Sequence, residues 1–133
     1  MKPARISYTE NAYVLLQIVD DHVAIATAFG VVSIGMLICM RADVIRETGG
    51  RCVVSDLSRC VITINQIEIG ALFDMANSGC SRDRACAWVV PQDGARAWRY
   101  LAARMAYLGY ARRVFTDMSA ALVWVQREAL LPL

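Results

Sequence analysis

Val23-Ala24-Ile25-Ala26-Thr27-Ala28-Phe29-Gly30-Val31-Val32-Ser33-Ile34-Gly35-Met36-Leu37-Ile38-Cys39-Met40 runs for eighteen residues without a formal charge. That is about the minimum length for a membrane-spanning helix. The composition argues otherwise. Thr27, Gly30, Ser33 and Gly35 interrupt the run, and its first half alternates β-branched residues with alanine. Short apolar runs broken by glycine belong to buried elements of a folded domain. The stretch therefore predicts a buried strand over Val23–Ala28, a break at Gly30, and a helix from about Ser33 to Glu47. Gly49-Gly50 closes that helix, because glycine takes the left-handed cap conformation without a Cβ clash.

Upstream, Tyr13–Val19 reads as a strand and Asp20-Asp21 as a turn, so the first two strands form a hairpin. Residues 1–12 are polar and read as a loose arm or a short edge strand. Downstream, Arg51–Asp56 is a short apolar strand. Thr63 and Gln66 fit a capping box at the start of a helix that runs to about Asn77. Ala85–Val90 is the next strand, and Asp93 caps a helix to about Leu108. Arg112–Phe115 is the last strand, and Asp117 caps a final helix to about Leu130. Strands alternating with helices require crossover connections and a mostly parallel sheet. The expected fold is α/β: a single-layer mixed sheet of four to five strands with four helices, in one domain over residues 1–133.

The chain of 133 residues is 57% apolar and 20% charged, which excludes a disordered protein. A net charge of +2 is too small to point to nucleic acid. Five cysteines, Cys39, Cys52, Cys60, Cys80 and Cys86, lie mostly in apolar runs and lack C-x-x-C spacing. Free buried thiols follow, with no metal site and a reducing, cytoplasmic compartment. The first five residues do not lead into the apolar core of a signal peptide.

Three stretches carry a resemblance. The first is Val23–Gly30, a strand ending in glycine before the first helix. The second is Val53-Val54-Ser55-Asp56-Leu57-Ser58. The third is Val114-Phe115-Thr116-Asp117-Met118-Ser119-Ala120-Ala121-Leu122-Val123-Trp124-Val125. Together they make the chain resemble the SpoIIAA-like, STAS-related α/β domains, in particular their uncharacterised bacterial branch, from about Tyr13 to Gln126. The resemblance implies a SpoIIAA-like fold and a small binding or regulatory role. The family's best-understood members are anti-sigma factor antagonists, switched by phosphorylation of a serine in an Asp-Ser-x-Gly run. The corresponding stretch here is Thr63-Ile64-Asn65-Gln66-Ile67. Asn65 stands near the switch position and cannot be phosphorylated, so that mechanism does not carry over. Thr63 offers a substitute hydroxyl besides its role as a cap.

Ligands in open α/β sheets gather at the carboxyl ends of the strands. That makes Asp56, Ser58, Thr63, Asn65 and Gln66 a candidate edge for a small ligand or a partner. The plainer reading is a turn in which Asp and Ser bond local amides. His22 is the lone histidine and falls in a turn, with no nucleophile or metal ligand at a telling spacing. No glycine-rich phosphate loop is present. No catalytic residue, metal ligand or cofactor is expected, and an enzyme working at Asp56 is the alternative.

The predicted helix from Asp93 places Trp98, Leu101, Met105 and Leu108 on one face, which reads as core. The other side carries Arg96, Arg99, Tyr100, Arg104 and Tyr107, with Arg112 and Arg113 just beyond. Arginine with tyrosine is an interface composition, it also suits an anionic ligand or nucleic acid, and the plainer reading is a solvated helix face. The first helix is apolar almost all round. Ile34, Leu37, Ile38, Val44 and Ile45 make one face, and Met36, Cys39 and Met40 cover much of the other. Such a helix is covered twice, by the monomer itself, by a second copy or by a protein partner. The expected function is a cytoplasmic, non-catalytic binding or regulatory domain, with neither nucleic acid nor membrane as its partner.

Overall fold

The computed structural model describes residues 3–62 and 84–131. The opening stretch forms a long strand and then a helix. Strand β3 covers Val23–Val32, Ser33 is the N-cap, and helix α1 covers Ile34–Thr48. The Ser33 hydroxyl accepts from the Met36 amide at 3.2 Å, which satisfies a donor left open by the first helical turn. Gly49, at φ 59°, ends the helix in the left-handed region. No described helix is long and apolar enough to cross a membrane.

The remaining elements are β1 (Ala4–Ser7), β2 (Tyr13–Ile18), β4 (Cys52–Asp56), β5 (Cys60–Ile62), β6 (Cys86–Val89), α2 (Ala95–Tyr107), β7 (Arg112–Phe115) and α3 (Met118–Ala129). One sheet holds seven strands in the order β1-β2-β3-β4-β6-β7, with β5 paired to β3 off that path. β1–β2–β3 is antiparallel, and every other pairing is parallel. The expected mixed, mainly parallel architecture holds, but the counts differ. Among the described residues there are seven strands rather than four or five. Three helices lie among the described residues, and the helix predicted from Thr63 to Asn77 falls outside them.

Both extra strands have a physical origin. The N-terminal arm is held as an edge strand, with Arg5 opposite Leu15 and Ser7 opposite Tyr13. β5 exists because β3 does not stop at Ala28. Gly30, at φ 96°, lets the strand pass the Asn11 carbonyl, and Gly30–Val32 then pairs with Cys60–Ile62.

Alternation along the strands sends side chains to two cores. On one face Val14, Leu16, Ala26, Ala28 and Val53 pack with Leu37 and Met40 of α1 and Ala95 and Leu101 of α2. On the other, Val23, Cys52, Val54, Ala87 and Val89 pack with Ala121 and Val125 of α3. Burying a side chain such as Leu101 stabilises the fold by about 1.5–3 kcal/mol.

Three expected details change. α2 is capped by Gly94 in the left-handed region, with no side-chain bond from Asp93. Met40 is buried rather than outward, and Ile38 is exposed instead, because the contacts with β2 and β3 set the rotation of α1. Arg112 is buried, with its guanidinium donating to the Arg84 carbonyl at 2.6 Å and the Ala111 carbonyl at 2.9 Å. It therefore does not belong to the exposed arginine–tyrosine face.

Candidate functional site

Asp56 ends β4, in register with Thr27 of β3 and Val89 of β6. It sits at the carboxyl edge of the parallel strands and is buried. Its Oδ1 accepts from the Ser58 amide at 2.9 Å and from the Ser58 hydroxyl at 2.6 Å. This is the local turn chemistry that Asp and Ser offer one another. Leu57 donates its amide to the Val89 carbonyl at 2.8 Å, so the turn is tied to the neighbouring strand. Among the described residues only Ser58 donates to Asp56, and both bonds go to Oδ1. Cys60 lies just beyond, and its thiol is pushed up to about 11, first by burial and then by the Asp56 carboxylate. Thr63, Asn65 and Gln66, the rest of this predicted edge, lie outside the described residues.

The second candidate surface is the outer side of α2. Ala95, Leu101, Ala102 and Met105 are buried, and Trp98 meets Trp88 of β6 edge to face at 5.5 Å between centroids. One side of the helix is thereby fixed, and the other is left to solvent. Tyr107 is 90% exposed and Tyr100 is 55% exposed. Between them lies an open groove of about 340 Å³ lined by Tyr100, Ala103, Arg104, Tyr107 and Leu108. The Arg104 guanidinium stands 5.9 Å from the Tyr100 ring centroid, within cation–π range. Arg96 and Arg99 are exposed one turn toward the N-terminus.

The structure thus brings Tyr100, Arg104 and Tyr107 to one groove and places Arg96 beside it. Leu108, read as core, instead lines the groove and is 38% exposed. Ala103 was missed. Its signal was positional, since it stands three residues after Tyr100 and four before Tyr107, the spacing of neighbours on a helix face.

The predicted patch on α1 is divided. Met40 is buried, Met36 packs partly against the core, and Cys39 is exposed. His22 is an exposed turn residue, and its amide donates to Asp20 Oδ1 at 2.7 Å. The four described cysteines, Cys39, Cys52, Cys60 and Cys86, are free thiols. Among the described residues no group of three His, Cys, Asp or Glu side chains could hold a metal ion.

No protein-family model and no curated protein matches the chain. A solved structure does: an uncharacterised protein of the DUF3478 family, with a SpoIIAA-like fold, from Shewanella loihica PV-4. The two superpose with a TM-score of 0.52 at 10% sequence identity, over 90% of this chain and 98% of that one. At that identity the likeness bears on architecture alone, and the chain has a SpoIIAA-like fold.

Proposed function

We propose that this chain is a non-catalytic binding domain that acts through a protein partner, with the outer face of α2 as its working surface. The observation that carries the reading is the groove between Tyr100 and Tyr107. Aromatic side chains left this open on a helix already fixed to its own core are costly to leave in water. Tyrosine and arginine are also the residues that most often dominate binding energy at interfaces. A regulatory role without the phosphorylated serine fits Asn65, which stands near the switch position of the SpoIIAA-like proteins that the chain resembles.

The test is native mass spectrometry of the chain isolated gently from its own cells, wild type against Tyr107→Ser. A complex carried by the wild type and lost in the folded variant supports the reading. A complex indifferent to the substitution, or none at all, overturns it.

A second reading places a small ligand at Asp56, whether bound or turned over. It is favoured by one observation, the buried carboxylate with Oδ2 unused by any described donor. Such an oxygen would select an ammonium, amide or hydroxyl group. A bound small molecule in the same spectra, lost on Asp56→Asn, would shift the assignment to this edge.

A further inference from the structure

Resting on the α2 reading, we infer that the occupant of the Tyr100–Tyr107 groove is a short acidic segment of a partner, carrying one apolar side chain beside its carboxylates. Charge carries the first part of the argument. α2 contains Arg96, Arg99 and Arg104 and no acidic residue. Arg96 and Arg99 lie in its first half, where the helix dipole disfavours cations. Gly94 supplies no side-chain cap, so the amides of the first turn add to the same positive end. Among the described residues neither Arg96 nor Arg99 pairs with a carboxylate. Among the described residues Arg96 and Arg99 thus present positive charge without an ion-pair partner one turn from an apolar groove, with Asp93, just before the helix, the nearest acidic residue in the sequence.

Size carries the second part. The exposed portions of Tyr100, Tyr107 and Leu108 amount to a few hundred Å². A stable pair of folded proteins buries about 800 Å² on each side. The patch is too small for that and suits a short segment.

Shape carries the third part. Ala103 makes a depression between two rings set about 10 Å apart along the helix axis. One apolar side chain fits between them. Arg96 lies four residues before Tyr100, and Arg99 lies four before Ala103. Carboxylates one turn away from the apolar anchor would therefore meet the guanidinium groups, and arginine binds carboxylates through two parallel hydrogen bonds.

The experiment uses the full chain and a short fluorescent peptide with one leucine flanked by glutamates, read by anisotropy. The wild type binds this probe, more weakly as salt rises. Tyr107→Ser weakens it about thirtyfold. The Arg96→Glu/Arg99→Glu pair and a lysine-for-glutamate peptide each weaken it by about tenfold or more. Equal binding of the two peptides, or binding untouched by Tyr107→Ser, overturns the inference. A benzophenone side chain at Ala103, crosslinked in cells, separates the two levels of the claim. Crosslinks to an acidic segment support it. Crosslinks to a second copy or to an oligonucleotide overturn it while leaving α2 as a contact surface. No crosslink at all removes the α2 reading as well.

Discussion

The Tyr8 hydroxyl donates to Oδ2 of Asp43 at 2.5 Å, across thirty-five residues of chain, and ties the loop after β1 to the outer half of α1. Asp43 also accepts from Arg46 at 2.8 Å. The Tyr8 bond, then Arg46, holds the Asp43 carboxyl below its usual range. Burial and the same carboxylate push the Tyr8 phenol above its usual range. Each shift has a sign. The Asp43 contribution is present above the ordinary carboxylate pKa and is lost as pH falls through the depressed value. The Tyr8 contribution is full below the ordinary phenol pKa and is lost as pH rises toward the elevated one. Tyr8→Phe should cost about 1–2 kcal/mol at neutral pH and flatten the acid limb of the stability profile. Urea titrations from neutral pH down to well below the ordinary carboxylate pKa check this. A variant with the wild-type acid limb would show that the bond is not made in solution.

Gly30 is the second point where the N-terminal segment meets the core. A Cβ there would lie inside van der Waals contact with the Asn11 carbonyl oxygen and 2.8 Å from the Asn11 carbonyl carbon. The backbone, at φ 96°, also disfavours any other residue. Gly30→Ala should cost about 3 kcal/mol or more, from overpacking and left-handed strain together. Gly94 is the control. It has φ 87° and open space around its Cβ position, so Gly94→Ala should cost only about 1–2 kcal/mol. Denaturant midpoints of the two variants separate steric from conformational cost. Equal losses would contradict the close approach of Asn11.

Gly30 also shows how far the sequence could be read. The lack of charge over Val23–Met40 and the β-branched first half of that stretch identify β3, and Gly30 by itself reads as the end of the strand. Only the path of the Asn11 loop, remote in sequence, makes it a point where the strand continues and gains β5. The rotation of α1 was hidden for a related reason. A helix apolar all round has no preferred inward face of its own, so Met40 and Ile38 exchanged places once it met the sheet. The face of α2 was legible because its arginines and tyrosines alternate with core residues at helical spacing. The Asp117 cap and Ser33 at the start of α1 were legible because capping is local chemistry. Buried arginines were not, since charge reads as solvent exposure until a carbonyl cluster is seen to receive it.

Arg84 is the clearest such case. It is buried, and its guanidinium donates to the Arg51 carbonyl through Nε and to the Thr48 hydroxyl through a terminal nitrogen. Thr48 donates in turn to the Val44 carbonyl at 2.6 Å, and Arg51 donates to the Thr48 carbonyl at 3.1 Å. The positive charge therefore sits at the C-terminal end of α1, where the helix dipole favours it. Arg84→Ala should cost about 3 kcal/mol, because buried acceptors lose their donors. Arg84→Lys should restore less than half of that, since an ammonium cannot span both acceptors with the planar fork. Thr48→Val should couple to Arg84→Ala, the double variant losing less than the sum. Additive losses in thermal or urea unfolding would separate the two residues.

Cys39 and Cys60 should differ in reactivity in the folded protein. Cys39 is exposed on α1, whereas Cys60 is buried and donates its thiol to the Leu57 carbonyl at 3.3 Å. With its thiol at about 11, Cys60 holds on the order of one part in a thousand as thiolate at pH 8. Iodoacetamide pulses followed by peptide mass spectrometry should label Cys39 first and leave Cys60 until the protein unfolds. Asp56→Asn removes the carboxylate that raises the Cys60 value, so alkylation there should quicken. Burial is the larger cause, so Cys60 should remain slower than Cys39. If Asp56→Asn brought the two cysteines to the same rate, opening of the Asp56–Ser58 turn rather than loss of charge would be responsible. Hydrogen exchange at the Ser58 amide, which donates to Oδ1 of Asp56, distinguishes the two causes.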